Sequence, residues 1–153
     1  MKKINQFSIL IITLCFISNT SFSQNATAKS DSVIIYKTGN PADWPKEKDA
    51  VAAAPKNHKI LLENENVRVL EVTVLPGETE PVHSHRWPSV LYIQTAGDFI
   101  DRDGQGKIIF DSRQLPTPLT FPMTMWKEPE APHSIENLSK TIAIRLIRVE
   151  IKK

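Results

Sequence analysis

The chain has 153 residues, with 19 Lys and Arg against 17 Asp and Glu, and a single cysteine. Lys2 and Lys3 carry the formal excess of +2 at the extreme N-terminus. The remainder is balanced and gives no electrostatic case for a nucleic-acid or membrane-surface partner. Because Cys15 lies in that same leading stretch, the rest of the chain is excluded from disulfide frameworks, cysteine-rich metal sites and thiol nucleophiles.

Residues 1–23 join two lysines, an apolar run from Ile9 to Ile17 and a small, polar exit at Ser21-Phe22-Ser23. This is the order of a secretory signal peptide, and the apolar run is shorter than the roughly 20 residues of a membrane span. The expectation is cleavage after Ser23, a periplasmic or extracellular location, and no membrane association after cleavage. Residues 24–57 read as an N-terminal extension. In it, Val33-Ile34-Ile35-Tyr36 is a candidate edge strand, Asp49 to Ala54 a helical turn or two stopped near Pro55, and Trp44 the anchor that lays the extension on the main domain.

From His58 to Ile151 the pattern is short strands separated by turn residues. Lys59 to Glu63 and Val67 to Leu75 are the first two. The second alternates Val67, Val69, Glu71 and Thr73 with Arg68, Leu70, Val72 and Val74. A Pro76-Gly77 turn follows, then Val90 to Thr95, and then a hairpin from Phe99 to Phe110 around Asp103-Gly104. Pro122 marks Leu119 to Trp126 as an edge or bulge strand, Glu128 to Pro132 reads as a turn, and Thr141 to Ile151 is the longest late strand. No segment has the length and rhythm of a major helix, so the fold class is all-β, a sandwich or barrel.

The chemistry concentrates in His83-Ser84-His85. Alternate residues of a strand face the same way, so the two imidazoles can reach one metal ion or one polar ligand. His133 is the third candidate, provided that the fold returns it to the pair. Three imidazoles suit zinc, iron, manganese or nickel, and leave a coordination position open for water or substrate. Paired histidines that only make hydrogen bonds at a strand end are the plainer alternative. No nucleophile elbow, phosphate loop or dinucleotide fingerprint is present. Asp101-Arg102-Asp103-Gly104 lacks the later oxygen ligands of a calcium loop.

Gly77, five residues, His83-Ser84-His85 and then Gly97 resemble the first motif of the cupin superfamily. His133 and Asn137, with Pro129 upstream, resemble the second, without the glycine usual between its proline and histidine. Leu61-Leu62-Glu63-Asn64 and Arg68-Val69-Leu70-Glu71 are similar to a small, secreted, single-domain cupin type. The resemblance covers residues 58–151 and implies a double-stranded β-helix, a jelly-roll barrel that brings His133 to His83 and His85. It also implies a metal held by these three histidines, and either a monomer or a homodimer in which Val33–Tyr36 is the candidate interface strand.

The first motif's glutamate is absent: Val90 stands at its position, with Ser89 at the shorter spacing. Glu71 and Gln94 are candidate pocket residues in its place, and Arg145 is a candidate to bind a substrate carboxylate. Tyr92, Trp126, Phe121 and Phe99 are expected in the core, Trp87 at a pocket rim or interface. Glu78 and Glu80 are expected in solvent, and His58 at the surface or in N-terminal packing. Two functions stay open: a metal-dependent enzyme acting on a small polar organic molecule, and a non-catalytic secreted module binding a metal or small ligand.

Overall fold

Period-two alternation builds most of the molecule, whose computed structural model describes residues 39–152. The expected leader and the Val33–Tyr36 segment lie outside the described residues. Nine strands follow one another: β1 (His58–Glu63), β2 (Val67–Val74), β3 (His83–His85), β4 (Ser89–Thr95), β5 (Phe99–Asp103), β6 (Ile108–Asp111), β7 (Met123–Lys127), β8 (Glu130–Asn137) and β9 (Ile144–Ile151). Among the described residues no helix is long and apolar enough to cross a membrane. The longest is α1 (Ala50–Ala53), whose N-cap Asp49 accepts from the Val51 amide.

The strands form two sheets, one in the order β1-β2-β9-β4-β7 and the other in the order β3-β8-β5-β6. Their inner faces bury Leu70, Val72, Val74, Leu91, Ile93, Ile100 and Ile144. The described part of the extension, residues 39–57, is pinned to this pair of sheets. Asp49 bridges to Ser84, the Ser84 hydroxyl donates to the Lys48 carbonyl at 3.1 Å, and Trp44 is buried.

The expected barrel does not form. A barrel needs one unbroken hydrogen-bond ladder round its axis. Here β1 and β7 are edges of the first sheet, β3 and β6 edges of the second, and no sheet closes. Proline supplies a physical reason, since it cannot donate to a ladder. Four of the six crossings between sheets carry proline: Pro76 and Pro81 after β2, Pro88 after β3, Pro116, Pro118 and Pro122 after β6, and Pro129 after β7. The result is an open jelly-roll-like sandwich. The segment before His133 also differs from the expected turn: Glu130 to Pro132 already belong to β8.

The turn that delivers the histidine pair is as the residues suggest. Gly77 sits at φ 75°, the left-handed region open to glycine, and the Glu78 amide donates to the Leu75 carbonyl at 3.0 Å. Asn137 ties three strand ends together, donating to the carbonyls of Val74 (3.0 Å) and Ile142 (2.9 Å) and accepting from the Ser139 amide.

Candidate metal centre

Register brings the motif histidines together. In the β3–β8 pair His83 lies opposite His133, and after a bulge His85 lies opposite Glu130. The ring centroids are 4.7 Å apart for His83 and His133, 5.0 Å for His83 and His85, and 5.9 Å for His85 and His133. His58 joins them, 4.5 Å from His83 and 5.2 Å from His85, so all four histidines of the chain meet in one buried cluster. His58 is not at the surface: it packs on the N-terminal segment through the Ala54 carbonyl and, beyond that expectation, joins the cluster. The turn after α1 places it there, where the His58 amide donates to the Ala54 carbonyl.

Each ring has its Nδ1 against an acceptor: the Ala54 carbonyl for His58 (3.2 Å), the Pro81 carbonyl for His83 (2.9 Å), Glu150 Oε1 for His85 (2.7 Å) and Asp101 Oδ1 for His133 (3.1 Å). A carbonyl or carboxylate only accepts, so Nδ1 carries the proton and a neutral ring keeps its lone pair on Nε2. This is how metal-binding imidazoles are oriented and made more basic. His133 Nε2 is buried without any hydrogen-bond partner. Such an orphan atom is rare in a folded interior, and an ion is one way to satisfy it.

The electrostatics agree with neutral donors at three of the four rings. Burial pulls His58 down to about 4, and Arg148 and His133 add to the fall. Burial likewise holds His83 and His85 well below the ordinary histidine value, reinforced by His133 at the first and Arg148 at the second. His133 differs. Burial opposes its charge most strongly, but the carboxylates of Asp101, Glu130 and Glu80 together outweigh burial and raise it. Neutral, lone-pair-bearing rings are the form that a cation needs.

Two sets of side chains have ligand atoms all within 4.8 Å of one another: His58, His83 and His85, and His85, Glu130 and His133. Either buried cluster could hold a divalent cation, and both include His85. Glu130 is already engaged, accepting from Arg148 Nη1 at 2.6 Å and paired with Lys127 at 2.7 Å. Although burial would push its carboxyl up, Arg148 and then Lys127 keep it well below the usual carboxylate range.

Around the histidines lies a charged frame. Arg68 grips the Asp49 carboxylate through Nη1 and Nη2 at 2.9 and 3.0 Å, and donates Nε to Glu150 Oε2. Glu150 lies opposite both Arg68 and Ser89 in register, so β9 supplies a carboxylate beside the position where the first motif lacks one. Val90 itself faces outward at 40% exposure, whereas Ser89 is buried. Glu80, expected in solvent, is buried too. Its Oε1 has no hydrogen-bond partner and lies 3.9 Å from His58 Nε2, and burial pushes its carboxyl up to about 8.

Other expectations fail on face. Glu71, Gln94 and Arg145 point to solvent, and Tyr92 and Trp126 are exposed on the outer side of the five-stranded sheet. Trp87 covers the Arg68 guanidinium at 4.8 Å and lines a surface pocket with Lys46, Asp49, Ala52 and Arg86, whose lining includes none of the four histidines. A period-two signal for the missed residues was present. Arg148 and Glu150 continue the buried face of Ile144 along β9, and Arg68 shares the face of Leu70, Val72 and Val74. His58 and Glu80 leave no such signal, because a turn and an irregular loop place them.

No protein-family profile matches the chain, and no curated protein matches it. Solved structures do. A cupin domain from Bordetella pertussis Tohama I is 23% identical over 63% of this chain and 92% of its own, with a TM-score of 0.51. An RmlC-like cupin family protein with a double-stranded β-helix fold, from Methanocaldococcus jannaschii, is 14% identical over 61% of this chain and 77% of its own, with a TM-score of 0.45. The described chain therefore has a fold that resembles the cupin superfamily at low sequence identity, with buried His and Glu clusters consistent with a metal-binding site.

Proposed function

We propose that the protein binds one divalent transition metal, zinc, iron, manganese or nickel, at His83, His85 and His133, with His58 as a fourth imidazole within reach, and uses it on a small polar organic molecule. The observation that carries this reading is the shared arrangement of the four rings. Each Nδ1–H faces an acceptor and each Nε2 is left to coordinate. A metal bound there supplies Lewis-acid polarisation of a substrate oxygen or activation of a bound water. The chain's own residues do the positioning. Glu150 and Asp101 fix the rings of His85 and His133, and Arg68 with Asp49 fixes Glu150.

A non-catalytic metal- or ligand-binding module is the second reading. The depth of the site favours it, since all four imidazoles are buried. Protein purified without an affinity tag and reconstituted with each metal is expected to hold one ion per chain, to gain thermal stability from it, and to lose both effects in His83→Ala. Absence of stoichiometric metal, with unchanged stability in His83→Ala, contradicts the metal site. Turnover on a panel of small polar substrates then separates enzyme from binding module.

A further inference from the structure

Two arginines stand on adjacent inward rows of the same sheet, both 3% exposed, and only one of them is fully engaged. Arg68 spends all three nitrogens on Asp49 and Glu150. Arg148, held between Leu70 and Leu91 in cross-strand register, spends one: Nη1 donates to Glu130 Oε2 at 2.6 Å. Its Nε and Nη2 are buried with no hydrogen-bond partner, and the nearest charge to Nε, Glu150 Oε1, is 3.7 Å away, beyond a hydrogen bond. Glu150 cannot move to meet it freely, because its oxygens already serve His85 and Arg68.

Nε–H and one N–H of Nη2 point the same way from the planar guanidinium. They form the side-on fork that matches the two oxygens of a carboxylate. Buried charged donors left without an acceptor are strongly unfavourable, so the fork calls for a partner. The neighbourhood adds direction. Glu130, which holds the opposite edge of Arg148, has a ligand atom within 4.8 Å of those of His85 and His133.

We propose that the free edge of Arg148 is the anion-binding half of the histidine centre and takes the carboxylate of a small organic acid, its Nε and Nη2 each donating to one carboxylate oxygen. This rests on the metal reading for the identity of the ligand as a substrate, but the fork itself is built from Arg148 alone. It also reassigns the expected carboxylate recognition from Arg145, which faces solvent, to Arg148, three residues on and on the other face.

The test is acetate binding to metal-free and zinc-loaded protein, measured by calorimetry and by the Arg148 Nε–H resonance. Saturable binding of one acetate per chain is expected in both forms, with a shifted and slowly exchanging Nε–H signal. Arg148→Lys keeps the charge facing Glu130 and removes the fork, and is expected to weaken acetate at least tenfold. Unaltered acetate affinity in Arg148→Lys overturns the proposal. So does an Nε–H signal in the wild-type protein that acetate does not move, which would leave water as the occupant, and that second readout holds if the variant fails to fold. Failure of zinc to bind while Arg148-dependent acetate binding persists overturns the metal reading and leaves the anion site standing.

Discussion

The two faces of the sheet β1-β2-β9-β4-β7 reverse what burial usually selects. Across the inner face run the rows Arg68–Glu150–Ser89 and Leu70–Arg148–Leu91, followed by the apolar row Val72–Leu146–Ile93. Across the outer face runs Leu62–Val69–Val149–Val90–Trp126, apolar on every strand, with Leu62, Val90 and Trp126 exposed. Apolar burial at the Val72 and Val74 end accounts for folding. It does not account for the charges at the other end, since a buried ion pair is weak evidence of stability and often replaceable by apolar packing. Those charges instead lie beside the imidazoles, where Glu150 fixes the ring of His85 as Asp101 fixes His133 from the other sheet. The polar end is organised for a site, and the apolar end carries the fold.

The sharpest way to break this contrast is to remove Glu150, which leaves Arg68 Nε and His85 Nδ1 without their acceptor. Glu150→Ala is expected to lose about 3–5 kcal/mol in urea unfolding, the usual result of stranding one partner of a buried charged network. A loss under about 1 kcal/mol, the range of exposed pairs, would show that the inner charges are not coupled.

Acid and base should act on the polar end with opposite signs in the metal-free protein. His58 is depressed from 6.5 to about 4, so its contribution is complete above 6.5 and is lost as pH falls through about 4. His83 and His85 are shifted the same way. Glu80 is raised from 4.5 to about 8, so its contribution is complete below 4.5 and is lost as pH rises through about 8. His133, also raised, adds to the alkaline loss. Stability measured against pH is therefore expected to peak near neutrality. Glu80→Gln should recover about 2 kcal/mol of the fall between pH 6.5 and 8, by the roughly 1.4 kcal/mol per unit of proton linkage. An unchanged alkaline limb in Glu80→Gln would show that this carboxyl is ionised and solvated in the folded protein.

The smallest effect belongs to the outer face. Val90→Thr should change stability by no more than about 0.5 kcal/mol, as surface substitutions do. A loss several times larger would mean that this face is covered in solution.

Much of this arrangement was legible in the chain, and the residues show where reading stopped. The succession of short strands followed from alternating segments, and the return of His133 to His83 from the resemblance to the cupin motifs. The closed barrel did not follow, because strand alternation says nothing about whether edges pair, and the prolines at the crossings argue against it. Along β9 the alternation Ile144, Leu146, Arg148, Glu150 continues one face past its apolar members, and hydropathy alone hides the last two. Val90, at the motif glutamate's position, lies out of phase with the buried residues of β4, which are Ser89, Leu91 and Ile93. His58 and Glu80 depend on the tertiary path of a turn and a loop, which no local pattern encodes.

The central claim is that the Nδ1-protonated imidazoles of His83, His85 and His133 present their Nε2 atoms to one cation. Nitrogen-15 spectra of the histidine side chains, recorded at mildly alkaline pH with and without zinc, test it most directly. The account predicts Nδ1–H tautomers in the metal-free protein, and zinc-induced shifts at the Nε2 atoms of His83, His85 and His133. Nε2–H tautomers, or spectra that excess zinc leaves unchanged, would contradict it.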